Sequence, residues 1–472
     1  MIVSIVVFVI YCAIVFGIGW LGLRATRDEK DFWIAGGRLG WLVGGATLAA
    51  THISAGTYIG TIGVIYGAGW SFGWLLLSIP LGYWFMAAVL APRFTRVRKL
   101  TLPAFMEDRY YSSRVRALAA VIILVAYIVF IQAQIVAGGL IANVTFGIPA
   151  IWGMIGFTVI LLAYTSIGGM IAVVWTDYFQ LAVMGIGVLA ALPIAIRQVG
   201  GFDELMTLVQ AANPRVFTWE SLPPSLLITM GLAFMLGSVA SPEKLTRLYV
   251  MKDMRTIRRG VLLNIVAILV INLIVFMLAL VAIVMFPALP TGDLAMPMIT
   301  HAVLPAFLGA IMLAAIAAAM MSTVSSLLIV AGSALSFDIG HTLLGPAASQ
   351  ERRMWLGRAG TAVVGCIPVL LLLGGVGQGE LVQFIVLLFT GLMAASFFVP
   401  VVLGVYWRRG TKEGAIASML GGMIATFSWK LYGSPALDPV LPGFLVSLAL
   451  MIGVSLVTRP PPRHALEPFF PG

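Results

Sequence analysis

Ala49-Ala50-Thr51-His52-Ile53-Ser54-Ala55-Gly56-Thr57-Tyr58-Ile59-Gly60 lies inside residues 40–65, an apolar run long enough to cross a bilayer as a helix. Its middle is neither uniformly apolar nor a good helix former. Five polar side chains interrupt it, and Gly44, Gly45, Gly56, Gly60, Gly63, Gly67 and Gly69 crowd around them. Polar groups and glycines at this depth predict an unwound helix, and irregular backbone survives there only where it lines a cavity or is covered by protein. The same glycines also suit a face against which another helix packs closely. Both readings place the segment in a bundle of membrane helices.

The rest of the chain agrees. Of 472 residues, 61% are apolar and only 10% are charged, against about 25% charged in an ordinary soluble domain. Mean hydropathy is +1.06. A soluble protein so poor in charge would not cover its own surface, so lipid is the solvent for much of it. The net charge of +10 does not point to nucleic acid, because the basic residues lie between apolar runs and form no separate domain. Cys12 and Cys366 sit in separate apolar runs and give neither a disulfide nor a metal pattern. The first apolar run lacks a basic start and is too long for a cleaved leader, so it reads as a retained span.

Runs of about 20 apolar residues occur at roughly 2–22, 40–65, 69–91, 117–145, 148–166, 170–196, 223–241, 260–286, 303–337, 355–374, 379–405, 413–432 and 440–458. They predict an all-α polytopic membrane protein of thirteen transmembrane helices, and runs this long exclude barrel strands. All but Arg197, Arg215 and Lys430 of the 28 Lys and Arg residues fall in alternate loops, around 24–38, 93–116, 244–259, 352–358, 408–412 and 459–463. The positive-inside rule then puts the N-terminus outside and the C-terminus in the cytoplasm. On this reading the basic residues orient the chain and bind no ligand. The longest polar connections are 92–116, 197–222 and 242–259. Residues 1–472 read as a single transmembrane domain ending in a short, Pro-rich, disordered cytoplasmic tail, 459–472.

Two further features carry polar groups into the membrane. Asp177 lies well inside the run 170–196; an ionisable group there calls for a partner and a task, unless it reaches water from a helix end. In the ninth run, Ser322, Thr323, Ser325 and Ser326 place four hydroxyls within five residues. Ala319, Ser322, Thr323 and Ser326 follow i, i+3, i+4, i+7 and share one helix face. Such hydroxyls commonly bond back to their own helix or across a helix contact. Combined with the carbonyls freed by a broken helix and with the carboxylate of Asp177, they supply the oxygen ligands that a desolvated sodium ion needs.

At these residues the chain resembles the sodium:solute symporter family. Trp33-Ile34-Ala35-Gly36-Gly37-Arg38 is similar to its first cytoplasmic loop, and the flanks of Ile53-Ser54-Ala55 to its broken helix. Tyr164 through Met170 and Trp175 through Gln180 resemble its sixth-span signature. Pro242 through Asp253 resembles its basic loop, Met321-Ser322-Thr323 its sodium helix, and Pro400 through Trp407 the end of its eleventh span. The wording around Ile53 and Met321 is most similar to the pantothenate and monocarboxylate branch.

The resemblance implies a leucine-transporter-type fold, a 5+5 inverted repeat of spans 2–6 and 7–11. It implies a sodium site at the carbonyls of Ala50, Ile53 and Ala319 and the hydroxyls of Ser322 and Thr323. A second sodium held by Asp177, Ser322, Ser325 and Ser326 follows from members that carry one, so one or two Na+ ions are expected, with two the favoured stoichiometry. Substrate residues are expected at His52, Ser54, Thr57, Tyr58 and Gln134. Gly56, and Leu76 near another pocket position, replace the polar groups of sugar-transporting members. The implied activity is sodium-coupled import of a small solute by alternating access in the cell inner (plasma) membrane. A small organic acid, monocarboxylate or pantothenate-like, leads; His52 offers such an acid a hydrogen bond or a charge. A proline-like amino acid, or a sugar or sialic acid, is the alternative. Proton coupling through Asp177 and His52 and a solute sensor on the same fold remain rivals. No pore-loop filter pattern points to a channel, no nucleophile–base pattern points to an enzyme, and nothing points to an obligate protein partner.

Overall fold

The computed structural model describes residues 2–26, 29–97, 99–340, 350–377 and 379–470. Arg27 and Arg98 of the basic loops lie outside them, as do the last two residues of the tail. The described residues form helices, with a single isolated bridge, Leu39 to Met251, and no named strand. In chain order the long ones are α1 (Ile2–Ala25), α2 (Trp41–His52), α3 (Gly56–Ala68), α4 (Trp70–Phe94), α5 (Ser113–Phe146), α6 (Ala150–Ala163) and α7 (Gly169–Gln198). They continue as α8 (Pro224–Ala240), α9 (Pro242–Val250), α10 (Met254–Met285), α11 (Ala306–Ile339), α12 (Trp355–Leu373), α13 (Val382–Tyr406), α14 (Lys412–Tyr432) and α15 (Val440–Val457).

Among the described residues nine helices are long and apolar enough to span a membrane, and counting the bent pairs α2–α3 and α8–α9 as one span each makes eleven. The other two of the thirteen expected spans are also helical. However, α6 is short, and α14 is less apolar than its neighbours, with Lys412, Glu413 and Lys430 in it. The break between α6 and α7 falls at Gly169, whose φ of 63° is a left-handed value that glycine adopts without strain.

The most apolar 18 residues of α11 are all buried, whereas α1 is largely exposed on the protein surface. Helices α7 and α1 pack along α11, and α2 packs on α10. Close approach depends on missing side chains. A Cβ on Gly60 would stand 2.7 Å from the Gln383 nitrogen, and one on Gly292 would stand 2.1 Å from the Gly63 carbonyl oxygen. The glycines of residues 44–69 therefore serve packing as well as the break.

The two bent pairs set the site. α2 and α3 meet at 55°, α8 and α9 at 41°. The second break has a local cause. Ser241 is extended (φ −67°, ψ 124°) because a residue before proline is pushed out of the helical region. Pro242 then restarts a helix at a position where its missing N–H has no partner to lose. This corrects the reading of 242–259 as a polar loop. Its first nine residues are a helix every one of whose residues is buried, Lys244 and Arg247 among them. Those two basic residues do not mark a cytoplasmic surface. The ends of the two pairs meet where Leu39 N donates to Val250 O at 2.9 Å.

The tail also departs from expectation. Arg463–Leu466 is helical, and Phe469 is buried edge-on against Phe105, with ring centroids 5.5 Å apart. The buried Arg109 guanidinium beside it donates to the carbonyls of Gly404, Trp407 and Gly410, closing the end of α13. An aromatic pair and a buried arginine anchor a segment whose proline content alone suggests disorder.

Candidate functional site

Unwinding after His52 releases the carbonyls of residues 50–53, those of Ala50 and Ile53 among them. In a continuous helix Ala50 O would receive Ser54 N–H, and Ile53 O would receive Thr57 N–H. Here Ser54 N donates to Thr57 Oγ1 at 3.4 Å, and Thr57 N donates to Ser54 O at 2.9 Å. The freed N–H groups of the next turn are also satisfied. Ala55 N donates to Gln134 Oε1 at 2.9 Å and Gly56 N to Ser54 Oγ at 3.0 Å. A buried break needs this full accounting of backbone groups.

Two of the released carbonyls, Ala50 O and Ile53 O, meet hydroxyls of α11. Ser322 Oγ donates to Ala50 O at 2.8 Å and stands 3.2 Å from Ala319 O. Thr323 Oγ1 lies 3.2 Å from Ile53 O and 3.0 Å from Ala319 O. Three carbonyls and two hydroxyls, all on buried residues, thus converge between two elements about 270 residues apart in sequence. All five oxygens are neutral. Such a set matches a hard monovalent cation, since divalent ions recruit carboxylates to offset their larger dehydration. A bound ion would take the hydroxyl lone pairs and draw the carbonyls off their present donors.

One turn further along α11 a second cluster is charged. Asp177 Oδ2 accepts from Thr47 Oγ1 at 2.6 Å and lies 3.5 Å from Arg247 Nη2. Arg247 donates through Nη2 to Ser326 Oγ at 2.5 Å and through Nε to Thr47 Oγ1 at 3.2 Å. Thr51 Oγ1 is 3.0 Å from Ser326 Oγ, which links the two clusters. Asp177 and Arg247 are both fully buried, so the carboxylate does not reach cytoplasmic water. Of the residues expected at a second sodium, Asp177 and Ser326 meet at this guanidinium, Ser322 belongs to the first cluster, and Ser325 Oγ bonds back to Ser322 O at 3.0 Å.

A cavity of about 30 Å3 adjoins the break, lined by His52, Ser54, Gly56 and Thr57 from one side and by Lys244, Asn272, Gln383 and Thr390 from the other. It has room for two or three waters at roughly 10–15 Å3 each. The His52 ring stands edge-on to Tyr83, with centroids 5.5 Å apart. Two expected substrate residues are engaged elsewhere. Tyr58 is fully buried and donates to Met184 O at 2.9 Å, and Gln134 holds the broken backbone through Ala55. Leu76 lies in a lipid-side apolar groove with Trp70 and Trp74, not in this cavity.

Sequence reasoning missed Glu243, Lys244, Arg247, Asn272 and Gln383. Tyr127 donates to Glu243 Oε2 at 2.9 Å, and Lys244 Nζ is 3.9 Å from Glu243 Oε1. The signal was present in Ser241-Pro242 as a helix restart, followed by charges at 243, 244 and 247 on helical spacing. A loop full of basic residues hid it.

The model of the sodium:solute symporter family matches residues 32–422. The chain is 27% identical over 475 residues to the osmoregulated proline transporter of Bacillus subtilis (strain 168), covering 96% of this chain and 94% of that protein. It is 28% identical over 478 residues to the sodium/pantothenate symporter of Escherichia coli (strain K12), covering 97% of each. The fold superposes with a TM-score of 0.84, at 20% identity, on a solved structure described as the substrate-bound outward-open state of a Na+-coupled sialic acid symporter, covering 97% and 98% of the two chains.

Proposed function

The chain belongs to the sodium:solute symporter family, and from that premise we propose that it is a sodium-coupled secondary active symporter importing a small carboxylate-bearing solute by alternating access. The family places it in the plasma membrane as a multi-pass transporter. In our reading the thirteen expected spans have the N-terminus outside and the C-terminus inside, with spans 2–6 and 7–11 as inverted five-helix repeats. The bent pairs α2–α3 and α8–α9 are the first span of each repeat, which supports that division.

One observation carries the sodium reading: the meeting of Ala50, Ile53 and Ala319 carbonyls with Ser322 and Thr323 hydroxyls at distances of 2.8–3.2 Å. Sodium entering from outside moves down its gradient and is pulled by the membrane potential, about 2.3 kcal/mol per charge per 100 mV. Bound between α2 and α11, it ties the break to a buried helix and preforms the pocket that the solute completes. Rocking of one bundle against the other then opens the inner side. Sodium and solute must raise each other's affinity by the same factor.

Lys244 supports an acid as solute. It lines the cavity beside His52, Ser54 and Thr57, and a cation so placed in a low-dielectric pocket selects carboxylate. A proline-like amino acid is the second reading, favoured by Glu243 next to Lys244 and by the proline transporter among the relatives. A zwitterion would engage both charges.

The purified protein tests this. Its thermal unfolding is followed with organic acids, amino acids and sugars, each with sodium or with potassium. A ligand that binds only the folded state at 100 times its Kd stabilises by about 2.7 kcal/mol. An acid or amino acid that stabilises only with sodium is the expected result. Equal effects of potassium would end the sodium reading, and a response to sugars alone would end the carboxylate reading.

A further inference from the structure

Asp177 already has a cation. Arg247, on the short helix α9, is fully buried and reaches three residues of the cluster expected to hold a second sodium or to flank it: Asp177 at 3.5 Å, Ser326 at 2.5 Å and Thr47 at 3.2 Å. A guanidinium is fixed in charge at any physiological pH and presents a rigid fork of donors. Nothing about this arrangement is a surface pair formed in passing. It joins three elements, α9, α7 and α11, and its fourth member, Thr47, lies on α2 and bonds both charges.

We propose that Arg247 is a built-in counter-ion holding the place of a second sodium, so that the protein binds and moves one sodium per solute. A sodium ion at Asp177 would sit within a few ångströms of the guanidinium, and two like charges in a buried site repel too strongly to share one carboxylate. Sodium therefore takes this place only if Arg247 leaves it. Of the four residues expected at a second site, Arg247 already occupies two: it donates to Ser326 Oγ and lies against the Asp177 carboxylate. Oδ1 of Asp177 and Nη1 of Arg247 have no hydrogen-bond partner among the described residues, so the ion pair is incompletely satisfied and tolerates rearrangement. Removing the arginine leaves a buried carboxylate with hydroxyls around it, which is a vacancy of the right sign for sodium.

The proposal rests on the symport reading but fails separately from it. The probe is sodium alone. Radioactive sodium bound per chain is counted by equilibrium binding to the purified protein, and the Hill coefficient of sodium is read from its thermal stabilisation. Wild type is expected to bind one ion with a coefficient of one. Arg247→Gln is expected to bind two, with a coefficient rising towards two. Asp177→Asn is expected to bind one. Two ions on wild type, falling to one in Asp177→Asn, would overturn the built-in counter-ion while leaving symport intact; no sodium bound at all would overturn symport itself. One ion on a folded Arg247→Gln protein would also overturn the proposal. If that variant does not fold, the wild-type count decides: one ion per chain, unchanged in Asp177→Asn, supports the counter-ion, and two ions on wild type overturn it.

Discussion

At the α2–α3 break every group that meets the gap is neutral: backbone carbonyls of Ala50 and Ile53, hydroxyls of Ser54, Thr57, Ser322 and Thr323, and the amide of Gln134. At the α8–α9 break the chain brings its own charges, Glu243, Lys244 and Arg247, all buried. The first break offers dipoles and leaves the charge to be supplied by an ion. The second has the charge built in, with Lys244 lining the cavity beside the first break and Arg247 paired with Asp177. On the proposed reading, one neutral break and one charged break divide the cation and the anionic solute between them.

The largest expected effect lies at the neutral break. Ser322→Ala with Thr323→Val removes two of five oxygens and strands the carbonyls of Ala50 and Ile53. Each lost contact to the charged ion is worth about 1.5–3 kcal/mol, so the sodium concentration for half-maximal uptake should rise roughly 10²–10⁴-fold at about 1.4 kcal/mol per decade. Solute uptake measured in proteoliposomes against external sodium checks it. An unchanged sodium dependence would mean that the neutral break is packing and no more, and the contrast between the breaks would lose its meaning.

At the charged break the expected effect is smaller and falls on the other ligand. Lys244→Gln alone leaves Glu243 buried and unpaired, a penalty of about 3–5 kcal/mol that would confuse folding with recognition. Lys244→Gln with Glu243→Gln removes both charges together. Affinity for an organic acid should fall roughly 10–100-fold, the range of a charged hydrogen bond of about 1.5–3 kcal/mol, while sodium binding in the absence of solute stays at the wild-type level. A fall in sodium affinity equal to that for solute would show that the two breaks do not divide the work.

The two breaks also differ in how readable they were. The first announced itself, because glycines and polar groups inside an apolar run break two rules at once, apolarity and helix propensity. Its partner hydroxyls at 322–326 were equally plain against apolar neighbours. The second break ends an apolar run where any loop would begin, and its charges follow a topology rule that holds for most of the chain. Hydropathy reads only the average solvent of a segment. It did not see that Pro242–Val250 folds back into the protein, since that burial is satisfied by Asp177, Tyr127 and Thr47, residues 65 or more positions away. The engaged states of Tyr58 and Gln134 were hidden for the same reason. Both lie on expected faces, and only the three-dimensional partners Met184 and Ala55 show what they do.

The smallest expected effect concerns the loops that clamp each pair from one end. The backbone of Asp293 abuts Gly63 on α3 while its Oδ2 accepts from Val382 N at 2.9 Å. Asp438 N donates to Thr229 Oγ1 on α8 at 2.8 Å, and its Oδ1 accepts from Val440 N at 2.9 Å. Burial raises Asp293 to about 6 and Asp438 to about 7, in each case against the lowering effect of the accepted N–H. A carboxyl whose folded pKa lies above its unfolded value of about 3.9 binds more protons when folded, so its contribution to stability falls as pH rises through that interval and is level above it. For Asp438 the interval ends near 7, for Asp293 near 6. Asp438→Asn keeps an acceptor for Val440 N–H and removes the ionisation. It should raise the unfolding midpoint at pH 8 by about 1–3 °C, a modest shift for a chain of this size, and leave it unchanged near pH 4. Asp293→Asn should flatten only the part of the curve that ends near pH 6. If both variants change the curve in the same window, the clamps on the neutral and the charged helix pair are one electrostatic unit, and the difference between the pairs is confined to their breaks.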